Sequence, residues 1–178
     1  MSSDSRRTVS RRHLVRALLG REAPESRPDA GPQASPHAAG DAAYAAGDYP
    51  AAVAAYRASI RGDLSNAPVR ARLGHALYEM GQYIQARVEF EHVLRLTDGG
   101  DRLARLGLAL TFLGLGKGPR AAAVLAAVAD PERPELERAA REAAARLSVG
   151  EAPDCADLRL ELERVARATA FLPETASV

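Results

Sequence analysis

The chain has 178 residues, enough for one domain of ordinary size plus a tail, with 47% apolar residues but only 4% aromatic ones. Alanine and leucine dominate and no stretch alternates with period two for long enough to form a strand, so an all-α fold is expected. The net charge of +1 hides an asymmetry, since residues 1 to 21 carry six arginines against Asp4, a net of +5 that leaves −4 on the rest, and the single cysteine, Cys155, excludes an internal disulfide and a cysteine metal site.

Residues 1 to 21 form an arginine-rich tail. Leu14, Val15, Leu18 and Leu19 make an apolar stripe beside Arg11, Arg12 and Arg16, which fits a short amphipathic helix from His13 to Leu19. Such a helix is too short to be stable alone. The run Ser10-Arg11-Arg12-His13-Leu14-Val15-Arg16 resembles a twin-arginine export motif, but Arg16 and Arg21 interrupt the apolar region that an export signal needs. Two readings stay open for this segment: a basic tail without fixed structure, or a docking helix for a partner or for an anionic membrane surface. Residues 22 to 36 follow as a linker, because Pro24, Pro28, Pro32 and Pro36 forbid a helix and favour extended chain.

From residue 37 the pattern becomes helical and periodic. Gly40 to Ile60 reads as a helical pair broken at Gly47-Asp48-Tyr49-Pro50, with Pro50 in the first turn of the second helix, where its missing donor costs nothing. Val69, Leu73, Ala76, Leu77 and Met80 then recur at steps of three and four, Gly81 ends that helix, and the stripe resumes from Tyr83 through Phe90 to Leu96. Gly40, Tyr44, Gly47, Tyr49, Ala52 and Tyr56 reappear 34 residues later as Gly74, Tyr78, Gly81, Tyr83, Ala86 and Phe90. A step of 33 from Gly74 and Gly81 reaches Gly107 and Gly114, with Leu106 and Leu110 in the places of Leu73 and Leu77. A period of this size means stacked helix pairs that bury their faces against one another.

These residues resemble the tetratricopeptide repeat, a helix-turn-helix unit. The three copies span about 33–66, 67–99 and 100–131, the last with Gly116, Lys117, Gly118 and Pro119 in place of the usual short turn and therefore a shorter second helix. The resemblance implies a short right-handed α-solenoid. Residues 132–172 supply two further helices, one from Pro134 to Leu147 with Leu136, Ala139, Ala140, Ala143, Ala144 and Leu147 at three-four steps, the other opened by Asp154 with Leu158, Leu162, Val165, Ala166 and Thr169 inward. This pair is expected to cap the array, with Leu160 and Phe171 off the buried stripe and residues 173–178 as a tail.

No catalytic set, metal-ligand spacing or phosphate loop stands out, and no cofactor is expected: the four histidines are scattered, and Gly114-Leu115-Gly116-Lys117-Gly118 lacks the spacing and the hydroxyl residue of a phosphate-binding loop. Function is expected in the groove instead. In the resembled family the first helix of each pair lines the concave face, which maps onto His37, Asp41 and Tyr44, then Arg72, His75, Tyr78 and Glu79, then Arg105, Leu108, Thr111 and Phe112. Arg72 and Arg105 are expected to lie on neighbouring helices and to grip a carboxylate or acidic segment together. The family's clamp for a C-terminal carboxylate uses lysine and asparagine where this chain has His37, Asp41 and Arg72, so that activity is not carried over.

The resemblance thus implies a cytoplasmic, non-enzymatic adaptor that holds a peptide or helix of a partner protein. The alternative is an assembly or maturation factor for an exported or membrane-bound bacterial complex, docked at the inner membrane face through residues 1 to 21. Nucleic-acid binding is disfavoured, because the basic charge is confined to one tail without aromatic residues between.

Overall fold

A computed structural model describes residues 37–149 and 154–168. The predicted tail helix with Arg11, Arg12, Leu14, Val15, Arg16, Leu18 and Leu19, the proline-rich linker, Thr169, Phe171 and the last tail lie outside the described residues.

Eight α-helices make up the described residues: α1 (Ala38–Ala45), α2 (Tyr49–Gly62), α3 (Ala67–Glu79), α4 (Tyr83–Leu96), α5 (Arg102–Gly114), α6 (Gly118–Leu125), α7 (Pro134–Ser148) and α8 (Cys155–Ala168). Each packs on the next in order, α3 also touches α5, and α8 returns to α5. The starts of α2, α3 and α5 are capped by side chains that take up orphan amides: Asp48 accepts from the amide of Ala51 at 3.0 Å, Asn66 from that of Val69 at 3.1 Å, and Asp101 from that of Ala104 at 2.7 Å.

The three turns inside the pairs close in one way. Gly47, Gly81 and Gly116 hold φ of 75°, 69° and 65°, and the residue after each donates its amide five residues back: Asp48 to Ala43, Gln82 to Leu77, Lys117 to Phe112. This is the left-handed helix end that glycine adopts without strain. The third turn therefore falls on Gly116, which corrects the alignment of Gly114 with Gly81. Gly114 lies inside α5, where a Cβ would come within 2.8 Å of the Tyr83 ring, so its small size serves packing between pairs.

The core runs along the stack through Tyr56, Leu77, Phe90, Leu106, Leu110, Leu125 and Leu136, all essentially buried. As expected, α6 is the short second helix, with 8 residues against 14 in α4. Asp130 locks the end of the third pair: its buried carboxylate accepts from Arg102 at 2.7 Å and from Arg133 at 3.1 Å, and its amide donates to Glu137 at 3.0 Å. The two C-terminal helices do not share one role. Helix α7 buries Leu136, Ala140, Ala143 and Ala144 and packs on α6 at the end of the stack, whereas α8 crosses to α5 and on to α3.

Candidate functional site: a divided groove

The first helices of the three pairs, α1, α3 and α5, supply the positions that line the predicted groove. Between the C-terminal half of α1 and the N-terminal parts of α3 and α5 lies a cavity of about 500 Å³ bordered by Asp41, Tyr44 and Ala45 of α1, Tyr56 of α2, Pro68, Ala71, Arg72 and His75 of α3, and Asp101 and Leu103 at the start of α5. That volume falls within the roughly 300–1,000 Å³ range of ligand pockets. Its border is mainly apolar, with one ion pair: Arg72 Nε stands 3.1 Å from Asp41 Oδ1, which also accepts from the Tyr56 hydroxyl at 2.8 Å. His37, one turn before Asp41, lies 3.9 Å from its other oxygen.

Two side chains of the wall are buried with unusual electrostatics. His75 is 5% exposed, its ring meets the edge of Phe90 at 4.9 Å between centroids, and its Nε2 has no hydrogen-bond partner. Burial pushes its pKa down to about 4, so the ring is neutral at pH 7. Tyr44 packs edge-on against Tyr49 at 5.3 Å. Burial, reinforced by the Glu79 carboxylate, pushes the Tyr44 phenol far up. Its buried hydroxyl has no hydrogen-bond partner.

Further along α3 the groove is occupied. The hydroxyl of Tyr78 donates to Glu163 Oε1 of α8, Arg159 of α8 donates to Glu163 at 2.7 Å and lies 3.4 Å from the same hydroxyl, and Arg167 donates to Glu79 at 3.2 Å. Burial pushes the Glu79 carboxyl up and the Arg167 guanidinium draws it back. Leu158, Leu162 and Ala166 of α8 are buried, and α8 packs along α5.

Of the sequence-predicted positions, Asp41, Tyr44, Arg72 and His75 come together around the cavity, with His37 beside them. Tyr78 and Glu79 meet α8 instead. Leu108, Thr111 and Phe112 are buried in the fold: Thr111 donates to the Gly107 carbonyl at 2.7 Å, and the Arg120 guanidinium stands 5.9 Å from the Phe112 ring. The expected pairing of Arg72 with Arg105 is corrected. Arg105 donates to the carbonyls of Ala127, at 2.9 Å, and Gly99, so its fork ties the loops around α5, while Arg72 is held by Asp41.

The spacing argument missed Tyr56, Ala45, Pro68, Ala71, Asp101 and Leu103. Tyr56 belongs to a second helix, which a rule based on first helices leaves out. For α8 a signal was present: Arg159, Glu163 and Arg167 recur every four residues beside Leu158, Leu162 and Ala166, a charged line flanking an apolar one. Among the described residues no group of three or more His, Cys, Asp or Glu is placed to hold a metal ion, and no helix is long and apolar enough to cross a membrane.

Comparison with known proteins agrees with the geometry of the first two pairs. Residues 43–98, from within α1 to just past α4, match the family described as tetratricopeptide repeat. Curated proteins gave no match.

Proposed function

Because the chain is a tetratricopeptide repeat protein, a kind that generally binds other proteins, we propose that it is a non-enzymatic adaptor holding a peptide or helix of a partner in the open half of its groove. The observation that carries this reading is the cavity of about 500 Å³ between α1 and α3, with apolar walls and the Asp41–Arg72 pair at its border. Apolar surface there supplies affinity, and the ion pair, with each side chain about two-fifths exposed, supplies polar groups that fix orientation. A bound segment passes Ala45 and Pro68, both exposed on the cavity border.

The reading is tested by recovering partners from the native cell with the full chain, with the chain lacking residues 1 to 21, and with Ala45→Arg. Ala45 ends α1, where an added arginine suits the helix terminus while projecting into the cavity mouth. A direct partner keeps its affinity for the shortened chain and loses about tenfold or more with Ala45→Arg, equivalent to about 1.4 kcal/mol. A partner indifferent to Ala45→Arg but lost with residues 1 to 21 overturns the reading.

A further inference from the structure

Helix α8 makes contacts that an end cap does not need. A cap covers the apolar flank of the last pair, and α7 does that on α6. Helix α8 reaches back instead across α5 to α3, onto Tyr78 and Glu79. These two belong to the same first-helix series, expected to line the groove, as Tyr44, Arg72 and His75.

The manner of contact is that of a bound helix. Leu158, Leu162 and Ala166, at steps of four, are each at most 1% exposed, while Arg159, Glu163 and Arg167 line the flank and carry the polar contacts to α3. Tyr78 and Glu79 are polar groups set in a partly buried place, where the Tyr78 hydroxyl requires an acceptor, here Glu163, and the Glu79 carboxylate a cation, here Arg167, from whatever lies over them. On its other side α8 leaves Leu160 55% exposed, and the pair it makes there with α7, Arg146 to Glu161 at 2.8 Å, joins two exposed side chains.

We propose that this half of the groove is a seat for an amphipathic partner helix with the pattern of α8, apolar residues at steps of four flanked by an arginine-held carboxylate that accepts from Tyr78 and an arginine that meets Glu79, and that α8 holds the seat until such a helix displaces it. The inference rests on the adaptor reading and extends it: the open cavity takes the first contact, and displacement of α8 completes a longer groove. Charge complementarity sets the occupant, since the Glu79 carboxylate calls for an arginine and the Tyr78 hydroxyl for a carboxylate four residues before it, the spacing of Glu163 and Arg167 in α8.

Hydrogen exchange on the full chain, read by mass spectrometry with and without a large excess of a synthetic peptide of residues 154–168, tests it. The amides of α8 are expected to exchange through local opening, on the order of 100-fold faster than those of α3 and α5. The peptide should accelerate α8 exchange further by competing for the seat, and a peptide with Arg159→Glu and Arg167→Glu should not. In the full chain, Arg159→Ala with Arg167→Ala should raise the opening of α8 about tenfold or more. Exchange of α8 only in step with α3 and α5, or a peptide without effect, overturns the proposal. This readout concerns α8 alone, whereas Ala45→Arg reports on the cavity, so the two readings fail separately.

Discussion

Gly107 of α5 lies so close to Phe90 of α4 that a Cβ there would stand 2.4 Å from the ring's Cζ. Gly74 of α3 meets the same ring, with a Cβ at 2.7 Å from Cε1, so the ring is in contact with a glycine of its own pair and one of the next. Gly107→Ala is therefore expected to cost about 1–3 kcal/mol by overpacking. Gly62→Ala, with nothing within 4 Å, should be neutral or stabilising by about 0.4–1 kcal/mol. Urea unfolding of the two variants checks the contrast.

These glycines show why the repeat was legible in the sequence. A position that must be small, at fixed distance from an aromatic that fills the space, leaves a mark whenever the pair is copied, and Gly40 against Tyr56 carries the same mark as Gly74 against Phe90. The third pair lost its aromatic, so the spacing alone set Gly114 against Gly81, although the turn moved to Gly116. The charged line of α8 marked a contact on its flank, but where that contact lies was not legible, for a different reason. An apolar stripe tells which face is buried and says nothing of what buries it, so Leu158, Leu162 and Ala166 fit a cap and a groove occupant equally. Arg105 defeated the site prediction because a long side chain reaches loop carbonyls that a helix position does not specify.

Asp130 should show an asymmetry. Its carboxylate is 1% exposed while Arg102 and Arg133 are 40% and 31% exposed. Asp130→Ala leaves two arginines that reach water, at a cost of about 1–3 kcal/mol. Arg102→Ala with Arg133→Ala leaves a buried carboxylate without its partners and should cost more, about 3–5 kcal/mol. Chemical denaturation of both variants gives the order.

His75 makes stability depend on pH. With a folded pKa of about 4 against 6.5 unfolded, the unfolded chain binds a proton below pH 6.5 that the folded chain refuses until about pH 4. Stability is therefore lost as pH falls through that window, up to roughly 3 kcal/mol. Glu79 acts in the opposite sense, because burial raises its carboxyl and the folded state then holds a proton more readily. Comparison with His75→Leu isolates the histidine: unfolding free energies at pH 7, 6 and 5 should decline less steeply in the variant.

The Glu79–Arg167 pair is partly buried, with side chains 14% and 29% exposed, and Arg146–Glu161 is exposed at 50% and 45%. Double-mutant cycles should give about 1–2 kcal/mol of coupling for the first and well under about 1 kcal/mol for the second. Equal coupling in both would mean that α8 is not held at α3 by this contact.

The claim that the open half of the groove is the binding surface is tested most directly by photo-crosslinking in the native cell. A photoreactive amino acid is placed at Ala45, on the cavity border, or at Val88, 47% exposed on α4 in the second-helix row. The account predicts a covalent adduct to a partner protein from position 45 and none from position 88. Adducts from position 88 with none from position 45 would contradict it and move the binding surface to the second helices.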